Sequence, residues 1–277
     1  MRLATIRTAT GTRAVRVDES SAVETGDADV RALLEHPDWA RRAATAAGPS
    51  HPVADLDYAP LVPSPEKIIC AGLNYRDHVL EMGHELPEYP TLFAKYAPAL
   101  VGAHDEVVLP AVSDNADWEC ELTVVIGSAV RHAGDAAAAA AIAGYTVMND
   151  VSIRDYQRRT SQFLQGKTFE RSTPLGPWLV TPDELPDGGW RITTEIDGET
   201  VQSSTTDQLV FSAVDLVRYV SSIVTLNPGD VIATGTPGGV GAARTPQRWL
   251  VDGTVMVTTV EGVGQLRNVC RKETISS

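Results

Sequence analysis

Cysteine is scarce in this chain. Of 277 residues only Cys70, Cys120 and Cys270 are cysteines, odd in number, far apart and without a CxxC pair. A disulfide-stapled secreted scaffold is thereby excluded, and a reducing, cytoplasmic setting is expected. Positive charge is also short: 23 Lys and Arg stand against 36 Asp and Glu, a net charge of −13. A surface that negative repels a phosphate backbone, so nucleic acid is not an expected partner. No apolar run reaches the ~20 residues that cross a bilayer. The opening residues, Met1-Arg-Leu-Ala-Thr-Ile-Arg7, lack the apolar stretch of a signal peptide, so no membrane association is expected. No repeat recurs at a fixed period, and the alanine run 136–141 is the one low-complexity patch.

What the chain does have is a globular composition, 43% hydrophobic and 21% charged. A chain of this length buries roughly 75% of its unfolded surface without covalent staples. Residues 1–17 read as a hairpin turning at Gly11. Asp27 or Asp29 then caps a helix carrying Val30, Leu33 and Leu34, which Pro37 interrupts. Five prolines between positions 49 and 65 mark an extended linker, which sets a boundary near residue 62. Beyond it, short strands dominate, at 67–71, 119–126, 144–148, 175–180, 190–196, 230–234 and 254–260. The clearest helix pattern runs over 207–223. This order argues for a β-rich main domain rather than a doubly wound sheet.

Four segments bear chemistry. In Asp117-Trp-Glu-Cys-Glu121 the period of a strand puts Glu119 and Glu121 on one face. They are either a solvated face or a partly buried pair that needs a counter-ion. Asp150 ends another strand. With the two glutamates it would complete an oxygen-only set suited to Mg²⁺, Mn²⁺ or Ca²⁺; alone, it reads better as the cap of a helix over 152–163. His78 and Glu81 fall three apart on a helix, so a carboxylate can orient an imidazole that takes a proton from water. The ordinary alternative is an exposed helical pair. His84 is a poor zinc partner for His78, because i+6 points away and no HExxH is present. The glycine-rich run Gly235-Thr-Pro-Gly-Gly-Val-Gly241 either cradles an anion through its N–H groups or is a plain turn; no P-loop lysine follows it. No GxSxG serine motif occurs.

In order, these segments resemble the fumarylacetoacetate hydrolase family. The matching stretches are 71–81, 117–127, 149–157, 165–167, 175–180 and 226–241, so the resemblance covers about residues 63–272. It implies an α+β, β-rich fold: a mixed β-sandwich or roll of that family's C-terminal domain over 63–277, a small N-terminal α/β appendage with its linker over 1–62, and usually a homodimer. It implies Mg²⁺ or Mn²⁺, replaceable by Ca²⁺ in a crystal, held by Glu119, Glu121 and Asp150. It further implies His78 and Glu81 as the water-activating dyad on a lid-like segment, and Lys167 as the catalytic cation. Gln157, Thr236, Gly235 and Arg76 would contact the substrate. Two stretches depart from the family pattern, Lys95-Tyr-Ala-Pro98 and the run after Lys167 that contains Arg171.

The expected activity is therefore metal-dependent hydrolysis of a C–C bond in a diketo acid of the acylpyruvate or fumarylacetoacetate type. The resemblance equally implies, as alternatives within that family, oxaloacetate decarboxylation and the isomerisation or hydration of unsaturated 2-oxo diacids on nearly the same residues. A non-catalytic binding protein of the same fold would have lost a ligand or dyad residue, and none is lost. A glycosidase is disfavoured because Glu119 and Glu121 on one strand face sit too close for the ~5 Å or greater carboxyl separation that a sugar bond requires.

Overall fold

The structure, a computed structural model, describes residues 1–81 and 85–274, with the backbone alone at His78, Leu80 and Glu81. Strands β1 (Arg2–Thr8) and β2 (Gly11–Val17) form the expected hairpin, with Gly11 at φ +114° in the turn. Strand β3 (Ser21–Glu24) extends it. Asp29 starts helix α1 (Val30–Leu34) by accepting the Ala32 N–H, which satisfies one of the donors a helix leaves free at its start. Helix α2 (Trp39–Ala44) follows Pro37. The proline-rich stretch supplies β4 (Ser50–Pro52) and then lies along β1, the Ala59 N–H reaching the Thr5 carbonyl at 3.0 Å.

The remaining elements, in chain order, are β5 (Ile68–Gly72), α3 (Arg76–Glu81), β6 (Thr91–Lys95), β7 (Leu100–Val101), β8 (Val107–Leu109), β9 (Ala116–Asp117) and β10 (Cys120–Ile126). Then come α4 (Asp135–Ala141), β11 (Ile142–Asn149), β12 (Ser152–Ile153), α5 (Arg154–Gln157), α6 (Leu164–Lys167) and β13 (Thr173–Val180). The chain closes with β14 (Arg191–Ile196), β15 (Glu199–Thr205), α7 (Ala213–Ile223), β16 (Val231–Ala233), β17 (Val255–Val260) and β18 (Gly264–Lys272).

One sheet runs β4-β3-β2-β1-β13-β11-β10-β16-β5-β6, and a second runs β15-β14-β17-β18-β8. Cys120, Leu122 and Val147 of the first pack against Ile192, Val260 and Leu266 of the second. The fold is thus the β-rich α+β arrangement expected. Further along the same face of β10, Val124 and Ile126 meet Leu216, Val217 and Val220 of α7. On the opposite face, Val125 shares a core with Leu33 and Leu34 of α1. Strand β10 is buried on both faces, so the acids that its alternation points away from the second sheet are enclosed as well.

Two predicted helices come out differently. The pattern over 207–223 yields a helix only from Ala213, because Leu209 bridges to Tyr75 and the Val210 N–H bonds the Asn74 carbonyl at 2.9 Å. Ser212 and Asp215 then form a reciprocal capping box. The helix expected over 152–163 is absent. Ser152 and Ile153 pair with Asp117 and Ala116, and only the short turns α5 and α6 follow. Among the described residues no helix is long and apolar enough to cross a membrane.

Turns α5 and α6 touch through a glycine. A Cβ on Gly166 would lie 2.4 Å from the Gln157 backbone nitrogen and 2.5 Å from its Cα. Gly166→Ala must therefore push α6, and Lys167 with it, away from α5. Such overpacking is expected to lower the unfolding free energy by roughly 1–3 kcal/mol in urea titration. Unchanged stability with unchanged activity would show that the two turns are not held in contact.

Candidate active site

Strand pairing assembles the acids. Cys120 pairs with Asn149 and Glu121 with Met148, so Glu119 and Asp150 meet at the same end of β10 and β11. The Asp150 N–H donates to the Glu119 carbonyl at 2.8 Å, and the Asn149 Oδ1 accepts the Glu119 N–H at 3.0 Å. Carboxylate oxygens of Glu119, Glu121 and Asp150 all lie within 4.8 Å of one another, and all three residues are buried. The solvated-face alternative for the glutamates is therefore overturned. So is the helix cap for Asp150: the residue before α5 is Ile153, and the Asp150 carboxylate binds lysines instead.

Cations surround the triad. Lys167, carried by α6, places its Nζ 2.7 Å from Glu119 Oε2 and 2.8 Å from Asp150 Oδ2. Lys95, the last residue of β6, places its Nζ 2.5 Å from Asp150 Oδ1. Arg154 reaches Glu119 Oε1 at 2.7 Å through Nη1 and Asp117 Oδ2 at 2.8 Å through Nε. The same Nη1 donates to Gln157 Oε1 at 2.9 Å. Sequence reasoning left Lys95, Arg154 and Asp117 without a role. The available signal was an inventory: three buried acids require buried positive charge, and both Arg154 and Lys95 lay in stretches already singled out.

The glycine-rich run does cradle anions, and they are the chain's own carboxylates. The Gly235 N–H donates to Glu121 Oε2 at 2.7 Å. The N–H groups of Gly241 and Ala242 reach Asp117 Oδ1 and Oδ2 at 2.6 and 3.0 Å. Gly235 sits at φ +102°, and a Cβ there would meet the Ala71 carbonyl and Asn74 Cβ at 3.0 Å, so glycine is required.

Charge in this enclosed space is unequal. Burial opposes ionisation of Glu119, but Lys167 and Arg154 overcome it and hold that carboxyl down at about 2. Burial, with the charges of Asp150 and Glu119 beside it, pushes Glu121 well above the usual carboxylate range. Burial works against the Lys167 ammonium too, yet Asp150 and Glu119 raise it to about 12, so it is charged at neutral pH. Among the described residues, the cations in ion-pair contact with Glu119, Asp150 and Asp117 are Lys95, Lys167 and Arg154. Glu121 is the member with no cation in ion-pair contact among the described residues; its recorded partner is the Gly235 N–H. An oxygen-only triad with one uncompensated carboxylate fits a hard divalent cation.

A cavity of about 340 Å³ opens beside the triad, lined by Glu119, Glu121, Arg154, Gln157, Arg158, Lys167 and Thr236 on its polar side. Thr236 Oγ1 is oriented by the Gln202 amide at 2.9 Å. Gly235 acts from behind the lining through its N–H. Arg76 is an exposed residue of α3 and is not among the lining residues. Helix α3 begins two residues after Asn74, whose side-chain amide bonds the Phe211 and Thr234 carbonyls at 2.9 and 2.8 Å. The proposed dyad of His78 and Glu81 lies on this helix, but their side chains fall outside the described residues, as does His84.

Carboxylates and fixed cations thus form the floor of a small cavity, with a triad that could hold a divalent metal. Comparison with known proteins supplies the family. A profile described as fumarylacetoacetate (FAA) hydrolase C-terminal matches residues 67–271. The chain belongs to the fumarylacetoacetate hydrolase family. Oxaloacetate tautomerase FAHD2A, mitochondrial, of Homo sapiens is 45% identical over 232 residues, covering 83% of this chain and 74% of the relative. The solved 5-carboxymethyl-2-hydroxymuconate delta-isomerase from Mycobacterium smegmatis superposes with a TM-score of 0.83 at 34% identity, covering 99% of this chain and all of that one. Maleylpyruvate hydrolase from Sphingobium sp. SYK-6, solved in complex with manganese (II) ion and pyruvate, gives 0.82 at 27% identity over 99% and 100%. These relatives are enzymes that act on small organic acids.

The uncompensated Glu121 yields a signed expectation. Mg²⁺ or Mn²⁺ at about a hundred times its Kd should stabilise the chain by about 2.7 kcal/mol, roughly 5 °C in melting temperature. Glu121→Gln should raise the melting temperature of the metal-free protein, by relieving repulsion, and abolish the increment from metal. A variant that melts lower without metal yet keeps the full increment would contradict this charge assignment.

Proposed function

We propose that the chain is a divalent-cation-dependent enzyme that forms and reprotonates an enolate on a small 2-oxo acid, interconverting keto and enol forms of an oxaloacetate-type substrate. The observation that carries the proposal is the uncompensated Glu121 within the triad, beside a cavity whose floor also presents Lys167. The name of the human relative at 45% identity supports the reaction class. Glu119, Glu121 and Asp150 would hold the cation. When bound, Mg²⁺ or Mn²⁺ supplies Lewis-acid polarisation of the 2-oxo group.

The chain's own groups account for the rest. Lys167 Nζ, held 2.7 Å from Glu119 and 2.8 Å from Asp150, would serve as a positive charge facing the developing enolate oxygen. Arg154 is clamped by Asp117 and Glu119, and it holds the Gln157 carbonyl oxygen so that the Gln157 amide N–H₂ is available to a substrate oxygen. Gln202 likewise holds Thr236 by donating to its Oγ1. We assign His78, oriented by Glu81 one turn on, to carry the proton at the carbon next to the 2-oxo group.

Hydrolysis of an acylpyruvate C–C bond is a second reading. It is favoured by the maleylpyruvate hydrolase neighbour with its manganese and pyruvate, and by the His78–Glu81 spacing, which suits activation of water. Both readings share the enolate and differ in whether water attacks. The proposal also includes a homodimer, a reducing compartment such as the cytoplasm, and a division into residues 1–62 and a catalytic domain over 63–277.

Stopped-flow ultraviolet spectroscopy of enol-oxaloacetate, alongside acetylpyruvate consumption, separates the two. EDTA should abolish whichever activity is present, and Mg²⁺ or Mn²⁺ should restore it; full turnover in metal-stripped protein sinks both readings. Lys167→Met should cost about 10²–10³ in kcat, because it removes positive charge facing the enolate. His78→Ala should slow acylpyruvate hydrolysis, if present, by about 10²–10⁴, the usual worth of a positioned base. A wild-type enzyme that accelerates acetylpyruvate cleavage but not ketonisation of enol-oxaloacetate would replace the first reading with the second.

A further inference from the structure

Among the described residues, three cations line the cavity: Lys167, Arg154 and Arg158. The first two are committed to Glu119, Asp150 and Asp117 at the floor. Arg158 is different. Its backbone N–H closes the last turn of α5 on the Arg154 carbonyl at 3.1 Å, its side chain is exposed, and no carboxylate among the described residues forms an ion pair with it. The guanidinium of its neighbour Arg159 is instead stacked on an aromatic ring. That group lies 3.4 Å from the centroid of the Tyr156 ring, and the ring is itself braced edge-on by Phe169.

Arg154 and Arg158 are four residues apart around one turn, so they project on one side with Cβ atoms about 6 Å apart. Arg154 is buried and Arg158 exposed, so the pair marks the floor and the mouth of the cavity. Phe93 and Phe163, ring centroids 5.8 Å apart and nearly perpendicular, form an apolar wall of the same cavity. A cavity of about 340 Å³ has room for an acid longer than its reactive head. Cation, apolar wall and second cation match a ligand with an acidic head, a carbon spacer and a second acid. A guanidinium pairs with a carboxylate through two parallel hydrogen bonds, which gives geometric selection as well as attraction.

We propose that Arg158 is a specificity-determining residue that binds the far carboxylate of a 2-oxo diacid and selects diacids over monoacids with the same head. The proposal rests on the reading above, in which the floor receives a 2-oxo acid.

The test is isothermal titration calorimetry of the Mg²⁺-loaded full chain with 2-oxobutyrate, 2-oxoglutarate and 2-oxoadipate, which share a head and differ in the far carboxylate and its spacer. Wild type should bind at least one diacid more tightly than the monoacid. Arg158→Gln should weaken that diacid by about ten- to a hundredfold, the worth of a charged hydrogen bond, and collapse the diacid-to-monoacid ratio. Arg158→Lys should recover part of the ratio, and Arg159→Gln should leave it as in wild type. A ratio unchanged in Arg158→Gln, or equal losses for both ligand classes, overturns the proposal. Wild type that binds monoacid and diacids alike overturns it too while leaving the 2-oxo acid reading intact. Wild type that binds none of the three overturns the proposal, and ketonisation of enol-oxaloacetate then shows whether the 2-oxo acid reading stands.

Discussion

Four carboxylates enclosed in one small volume cannot all remain ionised unless positive charge is fixed beside them. That constraint organises this molecule. Asp117, Glu119, Glu121 and Asp150 converge because β10 lies between β11 and β16 and is covered on both faces. Lys95 must then come from the end of β6, Arg154 from α5 and Lys167 from α6. The loop after β16 must turn two sets of N–H groups inward, onto Glu121 and onto Asp117. Each of these pieces is short and would be marginal alone; each is held by an ion pair or a charge-assisted hydrogen bond to the same cluster. What remains uncompensated sits on Glu121, and that remainder gives the centre its demand for a cation.

The same cluster organises the approach to the site. Asn74 grips the Phe211 backbone and the Thr234 carbonyl, so the root of α3 is tied to the residue just before Gly235, which in turn binds Glu121. The helix bearing His78 and Glu81 is thus anchored at one end to the strand that carries the acids. Gly166 does the equivalent on the other side, bringing α6 against α5 so that Lys167 and Arg154 reach Glu119 from two directions.

The sequence revealed local geometry well and partnership poorly. A period of two was enough to put Glu119 and Glu121 on one face, and Asp29 before an apolar stripe was enough to start α1. Strand pairing was not legible. Nothing local says that Asn149 stands opposite Cys120, so Asp150 alone resembled a helix cap. The pattern over 152–163 looked helical, yet residues 158–162 are Arg-Arg-Thr-Ser-Gln, with no apolar side chain to bury, so a helix there has nothing to pack. Leu209 and Val210 fitted the stripe of α7, but pairing with the segment at Asn74 and Tyr75 claimed them first. The Ser212 and Asp215 pair was a visible start signal that the longer apolar pattern obscured. Arg154 and Lys95 were visible as residues and invisible as partners, because a counter-ion is defined by a fold and not by spacing.

The pairing of β1 with β13 carries one more consequence. Arg2 and Leu3 stand opposite Val180 and Leu179, and the Leu61 N–H caps the Leu175 carbonyl at 3.1 Å. The segment matched by the family profile, 67–271, contains β13 but neither of these partners. Cut to that segment, the chain would present an open strand edge with unpaired carbonyl and N–H groups above buried leucines, a template for pairing with another chain. Strand β1 and the stretch at Leu61 therefore keep this edge of β13 covered.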